Sequence, residues 1–212
     1  MTLRRHALEL MASALALVFL APLFALISVV ILFDDGRPVF YKQMRVSKHM
    51  REFALYKLRT MVNGSDRRGL LTSQGDSRLI RSGRFLRKWK LDELPQLFNV
   101  LIGDMQWVGC RPEVPCYVAH FHNEYKELLE QAPGITDPAS LVFRDEESLL
   151  GGSDFEQQYI RFVLPQKLKL SLEYQKQRTT WSDLRVLAET LFRVATPSKS
   201  QRSLPGFPAA QD

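Results

Sequence analysis

A chain of 212 residues, 45% apolar and 25% charged, can bury one core of ordinary size and reads as folded rather than disordered. Its formal charge of +6 favours anionic partners: phosphates, nucleotides, nucleic acid or acidic lipid headgroups. Only two cysteines occur, Cys110 and Cys116, which argues against a disulfide framework or a cysteine-rich zinc site and fits a reducing compartment.

Residues 12–33 carry no charge. As a helix they would extend roughly 33 Å, the thickness of a hydrocarbon core. A cleaved signal peptide is disfavoured, because the run is long and Phe33-Asp34-Asp35-Gly36 offers no small-residue cleavage site. Two readings stay open, a plain transmembrane span and a helix that enters the bilayer, bends and returns to the same face. Pro22 sits near the middle, where it removes a backbone hydrogen bond. Both flanks are positive, with Arg4 and Arg5 before the run and Arg37, Lys42, Arg45 and Lys48 after it. A single straight span cannot place two positive flanks on the same side.

After a turn at Asp34-Asp35-Gly36-Arg37-Pro38, Val39-Phe40-Tyr41 and Phe53-Ala54-Leu55-Tyr56 read as short strands around a basic loop with Lys42, Arg45 and Lys48. Residues 62–77 are polar and glycine-containing and read as a mobile surface loop. Cationic side chains at 78, 81, 84, 87 and 88 alternate with apolar ones up to Trp89, which predicts an amphipathic helix at a membrane surface, broken or bent near Gly83. Leu94, Leu97, Phe98 and Leu101 fall on one helix face, with Gly103 as a stop, Asp92 as N-cap and Pro95 in the first turn. Further helices are expected over residues 118–131, over 154–177 with a kink at Pro165, and over 182–194. Residues 196–212 are rich in Pro and Ser and read as a disordered tail.

The segment KLDELPQLFNVLIGDMQWVGCRP, residues 90–112, concentrates the candidate chemistry. Asp92 taken alone is an ordinary N-cap. With Glu93 beside it and arginines around it, it also fits an ionised carboxylate that acts as nucleophile or metal ligand near a phosphate. His120 and His122 lack partners at ligand spacing and read as surface or packing residues. Asp145-Glu146-Glu147 reads as a solvated acidic loop rather than a metal site. Trp89 and Trp107 fit either interfacial anchors or ordinary packing.

These residues resemble the bacterial sugar transferases, the small monotopic phosphoglycosyl transferases. The matching pieces are PVFYKQMRV (38–46), YKLRTM (56–61), SGRFLRKWKLDELPQLFNVLIGDMQWVGCRP (82–112), PGITDPASLVFRDEE (133–147) and LPQKLKLSLEY (164–174). The resemblance implies transfer of a sugar-1-phosphate from a UDP-sugar to a polyprenyl phosphate, usually undecaprenyl phosphate, with release of UMP. It implies a ping-pong course with Mg²⁺, in which Asp92 attacks phosphorus to give a covalent phosphosugar and Glu93 supports the metal or the nucleophile. Lys57, Arg87 and Arg111 match the family's cationic positions around the phosphates.

The resemblance also favours the re-entrant form of the N-terminal helix, with both ends in the cytoplasm. The family's Ser-Pro break is here Ala21-Pro22, so the proline is present without the serine. Cys110 replaces the usual proline before Arg-Pro, and Gln106-Trp107 replaces the usual Ser-Leu, with loop rigidity or sugar choice as the properties at stake.

The predicted fold is α+β and mainly helical. It comprises a re-entrant membrane anchor over residues 1–35, amphipathic interfacial helices, one compact catalytic domain over 36–195 on the cytoplasmic face of the bacterial inner membrane, and the tail. Expected partners are a UDP-sugar, undecaprenyl phosphate and membrane phospholipids, with no nucleic acid; the oligomeric state, a homodimer included, stays open. A catalytically silent anchored scaffold of the same fold is the alternative, and a basic anchored protein that binds nucleic acid or anionic lipid is a third reading.

Overall fold

In a computed structural model, residues 3–69, 71–72, 75–146 and 154–196 are described. The chain is mainly helical with some sheet, as its patterning predicts. Helix α1, Leu3–Asp35, is assigned continuously through Pro22. It is the one described helix long and apolar enough to cross a membrane. Much of its surface faces outward, with Leu15 and Phe19 72% and 81% exposed, while Ile27 and Ile31 are buried.

Two seams fasten α1 to the rest of the chain. Near its start, Arg5 pairs with Asp183, and Ser13 Oγ accepts a 2.8 Å hydrogen bond from the Trp107 indole. Near its end, Ile27 and Ile31 cluster with Leu58, Ile80 and Leu86. The Asp34 carboxylate accepts from Ser82 N and Oγ at 2.7 and 2.8 Å. Arg59 donates to the Asp35 carboxylate and to the Asp35 and Gly36 carbonyls, at 2.8, 2.9 and 2.6 Å. The last carbonyls of a helix lack partners within it, so this guanidinium acts as a C-terminal cap.

Strands β1, Phe40–Val46, and β2, Glu52–Leu58, form an antiparallel hairpin in which Lys57 stands opposite Tyr41. The strands are longer than their apolar cores suggest. Lys42 and Arg45, expected in a basic loop, lie on β1 instead, because the ladder continues through them to Val46. Phe53 and Leu55 pack with Val100 and Met105, while Leu58 on the other face joins the α1 cluster.

The segment expected to be mobile, residues 62–77, is clasped from within over its described part. The buried Arg78 guanidinium donates to the Ser65, Gly69 and Leu71 carbonyls at 3.3, 2.7 and 2.5 Å and grips the Asp76 carboxylate. Helix α2, Arg81–Lys88, runs unbroken through Gly83. Gly83 serves close approach rather than a bend, since a Cβ there would collide with the Thr60 carbonyl.

Helix α3, Gln96–Leu101, starts later than the pattern predicts, with Pro95 at its N-cap. The expected N-cap Asp92 lies instead in a preceding 3₁₀ turn, Leu91–Glu93, and its side chain makes no capping bond. Lys90, at φ 54°, turns the chain out of α2 into that 3₁₀ segment. Strand β3, Gln106–Val108, pairs in parallel with β4, Gly134–Thr136, a short pair that three-residue runs do not announce.

The helix expected over 118–131 is two pieces, α4 Pro115–His120 and α5 His122–Leu128, broken at Phe121 with φ −131° and ψ 48°. After α6, Pro138–Val142, come α7, Phe155–Gln158, a π-helical turn over Tyr159–Val163, and α8, Leu164–Gln177. The distortion expected at Pro165 falls one turn earlier. A proline ring crowds the carbonyl four residues back, here Arg161, inside the π turn. Helix α9, Thr180–Ala195, begins with a capping box between Thr179 and Ser182. The main core joins Val46, Tyr117, Tyr125, Leu128, Leu129, Phe143, Val163, Leu164 and Leu168. Apart from Thr196, the predicted tail lies outside the described residues.

Candidate active site

The hairpin, α2 and the 3₁₀ turn enclose a cavity of about 540 Å³. Asp92, Glu93, Lys57, Arg87 and Arg111, scattered over 55 positions of sequence, all line it. Each arrives on a different device. β2 delivers Lys57, the last turn of α2 delivers Arg87, the 3₁₀ turn presents both carboxylates, and the turn after β3 presents Arg111.

The two carboxylates are held differently. Glu93 Oε1 pairs with Arg111 Nη2 and lies 3.7 Å from Lys57 Nζ. Arg87 donates from Nε to Thr60 Oγ1 at 3.0 Å, in the neighbourhood of the Gly83 contact with the same threonine. Asp92 is 4% exposed, and its Oδ1 has no hydrogen-bond partner within the chain. A buried carboxylate oxygen without a partner is costly, and native folds leave one where a ligand or a reaction needs it.

Electrostatics sharpen the contrast. Burial would raise the Glu93 carboxyl, but Arg111, Lys57 and Lys90 outweigh it and hold Glu93 well below the usual carboxylate range. Asp92 is pushed up, first by burial and then by the negative charge of Glu93, against the pull of Lys57, Arg87 and Lys90. The expected stabilisation of the Asp92 carboxylate by its cations is thus opposed, and the net shift is upward. Its place in the first turn of the 3₁₀ segment does not offset burial, which is the largest influence on it. Burial also pushes the Lys57 ammonium down to about 8, with Glu93 opposing.

Other sequence candidates separate cleanly. His120 and His122 are exposed. Glu146 is not simply solvated: it pairs with Lys167 at 2.8 Å and, with Asp145, lines the cavity, while Glu147 lies outside the described residues. Trp107 packs on α1, and Trp89 stands against Phe85 with ring centroids 6.3 Å apart. Gln106 donates to the Ala132 carbonyl at 2.6 Å, and Cys110 is a buried free thiol in the main core, its pKa pushed up to about 12 chiefly by burial. Gln106, Trp107 and Cys110 do not line the cavity.

Sequence reasoning missed Arg45, Glu113, Tyr159 and Lys167, which line the same cavity. Arg45, Glu113 and Lys167 stand in or beside the motif pieces, Glu113 directly after the Arg111-Pro112 pair. Only their mutual contacts mark them as a group.

Comparison with known proteins agrees with the motif pieces. UDP-N-acetylgalactosamine-undecaprenyl-phosphate N-acetylgalactosaminephosphotransferase of Aeromonas hydrophila is 37% identical over 144 residues, 65% of this chain and 34% of that protein. UDP-glucose:undecaprenyl-phosphate glucose-1-phosphate transferase of Caulobacter vibrioides is 32% identical over 193 residues, 89% of this chain and 68% of that protein. Undecaprenyl-phosphate glucose phosphotransferase of Komagataeibacter xylinus is 36% identical over 199 residues, 90% of this chain and 36% of that protein. This chain thus spans about a third of the length of the first and third of these relatives and about two thirds of the second. The family described as bacterial sugar transferase matches residues 2–197, nearly the whole chain, and to that family this protein belongs.

Proposed function

We propose that this protein transfers a sugar-1-phosphate from a UDP-sugar to undecaprenyl phosphate and releases UMP, an early membrane step in bacterial glycan assembly. The observation that carries the reading is Asp92, a buried carboxylate with an unpartnered oxygen, in a cavity it shares with Lys57, Arg87 and Arg111. Relatives whose names give undecaprenyl phosphate as acceptor support the choice of reaction.

Two displacements at phosphorus account for the transfer. In the first, an Asp92 carboxylate oxygen bonds to the phosphorus that bears the sugar, the bond from that phosphorus to the bridging oxygen breaks, and UMP departs with the bridging oxygen. In the second, an oxygen of the polyprenyl phosphate bonds to the same phosphorus and Asp92 leaves as a carboxylate. Lys57, Arg87 and Arg111 gather the negative oxygens, and their positive charge is needed most when charge builds on the leaving phosphate. Glu93, held ionised between Arg111 and Lys57, keeps those two cations placed.

The donor set suits a Mg²⁺ ion. This metal takes one or two carboxylates together with substrate phosphates. Asp92 and Glu93 offer that, and among the described residues no group of three His, Cys, Asp or Glu side chains forms a cage of its own. When bound, the ion would neutralise diphosphate charge.

We place α1 as a re-entrant anchor and the domain on the cytoplasmic face of the inner membrane. Support comes from the two seams: both ends of α1 are bonded to the same folded domain, and one compact polar domain does not sit on both faces of a bilayer.

The test is UMP release with a panel of UDP-sugars, Mg²⁺ and undecaprenyl phosphate. Wild type releases UMP with at least one sugar. Asp92→Asn loses at least about 10³-fold in kcat, as removal of a nucleophile does. Incubation with UDP-sugar alone adds the mass of a phosphosugar to wild type and not to the variant. Turnover that survives in Asp92→Asn overturns the covalent course.

A further inference from the structure

The phosphate-binding residues leave sugar choice without a carrier, and the positions that differ from the family pattern, Gln106, Trp107 and Cys110, do not reach the cavity. A second group does. Arg45 donates to Glu113 Oε1 at 2.5 Å, Tyr159 donates its hydroxyl to Glu113 Oε2 at 2.7 Å, and Lys167 Nζ donates to the Tyr159 oxygen at 3.2 Å and to Glu146 Oε2 at 2.8 Å. All five residues line the cavity, and Glu113, Tyr159 and Lys167 are at least nine-tenths buried. Nothing in the proposed phosphoryl transfer uses them.

Their formal charges cancel, two cations against two carboxylates, so this wall is a poor phosphate site. It is instead a fixed array of donors and acceptors with capacity to spare. An ammonium has three protons and Lys167 spends two; a carboxylate has about four acceptor sites and Glu113 spends three, on Arg45, Tyr159 and the Val114 amide at 2.9 Å. One charged donor and one charged acceptor side by side match the neighbouring hydroxyls of a sugar ring. Glu113 is two residues from Arg111, within about 7 Å along the chain. The hexose of a UDP-sugar hangs directly on the phosphorus that Arg111 would help hold.

We propose that Glu113 and Lys167 contact ring hydroxyls of the transferred hexose and set which sugar is accepted, with Tyr159 as the positioning residue that locks the two together. The assignment rests on the phosphoglycosyl-transfer reading. A buried charged group left unpaired by the wrong epimer is penalised, so such a pair discriminates by configuration rather than by size.

The ribose of the nucleotide carries the same diol chemistry, so the experiment separates the two. kcat/KM is measured for wild type, Tyr159→Phe and Lys167→Gln with UDP-glucose, UDP-galactose and UDP-N-acetylglucosamine, alongside inhibition by UMP, with melting curves to establish folding. The expected result is a change of about tenfold in the ratio of kcat/KM values between sugars, with UMP inhibition unmoved. Equal losses for all three sugars together with weaker UMP inhibition would transfer the contact to ribose and overturn the hexose assignment. Unchanged ratios and unchanged inhibition in folded variants would remove the subsite. Equilibrium binding of the same nucleotides needs no turnover, so it decides the sugar contact even if wild type releases no UMP. Tyr159→Phe, which deletes a single oxygen, carries the test alone if Lys167→Gln does not fold.

Discussion

Lys57 and Glu93 meet the same burial with opposite outcomes. Glu93 has two cations against it and keeps its charge; Lys57 has one close carboxylate, and burial brings its pKa to about 8. The sign for catalysis follows. Lys57 is cationic below about 8 and neutral above it, so capture of UDP-sugar weakens as pH rises through that value. In the proposed transfer Asp92 attacks as a carboxylate, and burial with the neighbouring Glu93 charge raises its pKa above the ordinary carboxylate value, so protonation removes the nucleophile as pH falls. We expect a bell-shaped kcat/KM profile for UDP-sugar, with an alkaline limb near pH 8 that Lys57→Arg abolishes. An alkaline limb that persists unchanged in Lys57→Arg would assign it to another group. At this scale the sequence was legible where chemistry is contiguous: Asp92-Glu93 and the Arg111-Pro112 turn stand in one motif. The Arg45–Glu113–Tyr159–Lys167 group was not, because residue types that are ordinary one by one become a site only when β1, the segment before α4, the π turn and α8 converge.

Among elements, the contact of α2 with the residue that follows β2 by two positions decides where Arg87 points. Gly83 lies against the Thr60 backbone, and Arg87 bonds the Thr60 side chain one helical turn later. Alanine would favour an isolated helix by about 1 kcal/mol over glycine. Against that stands a Cβ driven into a backbone carbonyl, and overpacking of this kind costs about 1–3 kcal/mol. Gly83→Ala is therefore expected to lower the melting temperature and to raise KM for UDP-sugar, since α2 must shift with its arginine. A variant with unchanged melting and KM would mean that α2 yields freely. Sequence periodicity found α2 but read its glycine as a break, because a pattern of apolar residues does not report what lies opposite. The same holds for residues 118–131, where periodicity continues across Phe121 although the backbone does not.

For the whole molecule, the apolar run was plain in the sequence, and its flanking charges hinted that both ends share a side. What could not be read was the pair of seams, since Arg5 with Asp183 at one end of α1 and Asp34 with Ser82 at the other join positions far apart in the chain. In a Cys110→Ala, Cys116→Ala background, single cysteines at Thr2 and Arg37 are expected to react with a membrane-impermeant maleimide in inverted membrane vesicles and to stay protected in intact cells. Opposite accessibility of the two sites would make α1 a true span and would contradict the two-seam arrangement.

Leu58 and Lys57 are successive residues of β2, one pressed against Ile27 and Ile31 of α1 and the other in the cavity. A strand advances about 3.3 Å per residue. With α1 anchored as proposed, its depth in the bilayer would be transmitted to the cavity over a single peptide unit, with Arg59 capping the helix immediately beyond. On the proposed anchoring the membrane is a ruler for this enzyme: it would set the height of the lysine above the lipid, and with it the distance a tethered acceptor phosphate has to climb.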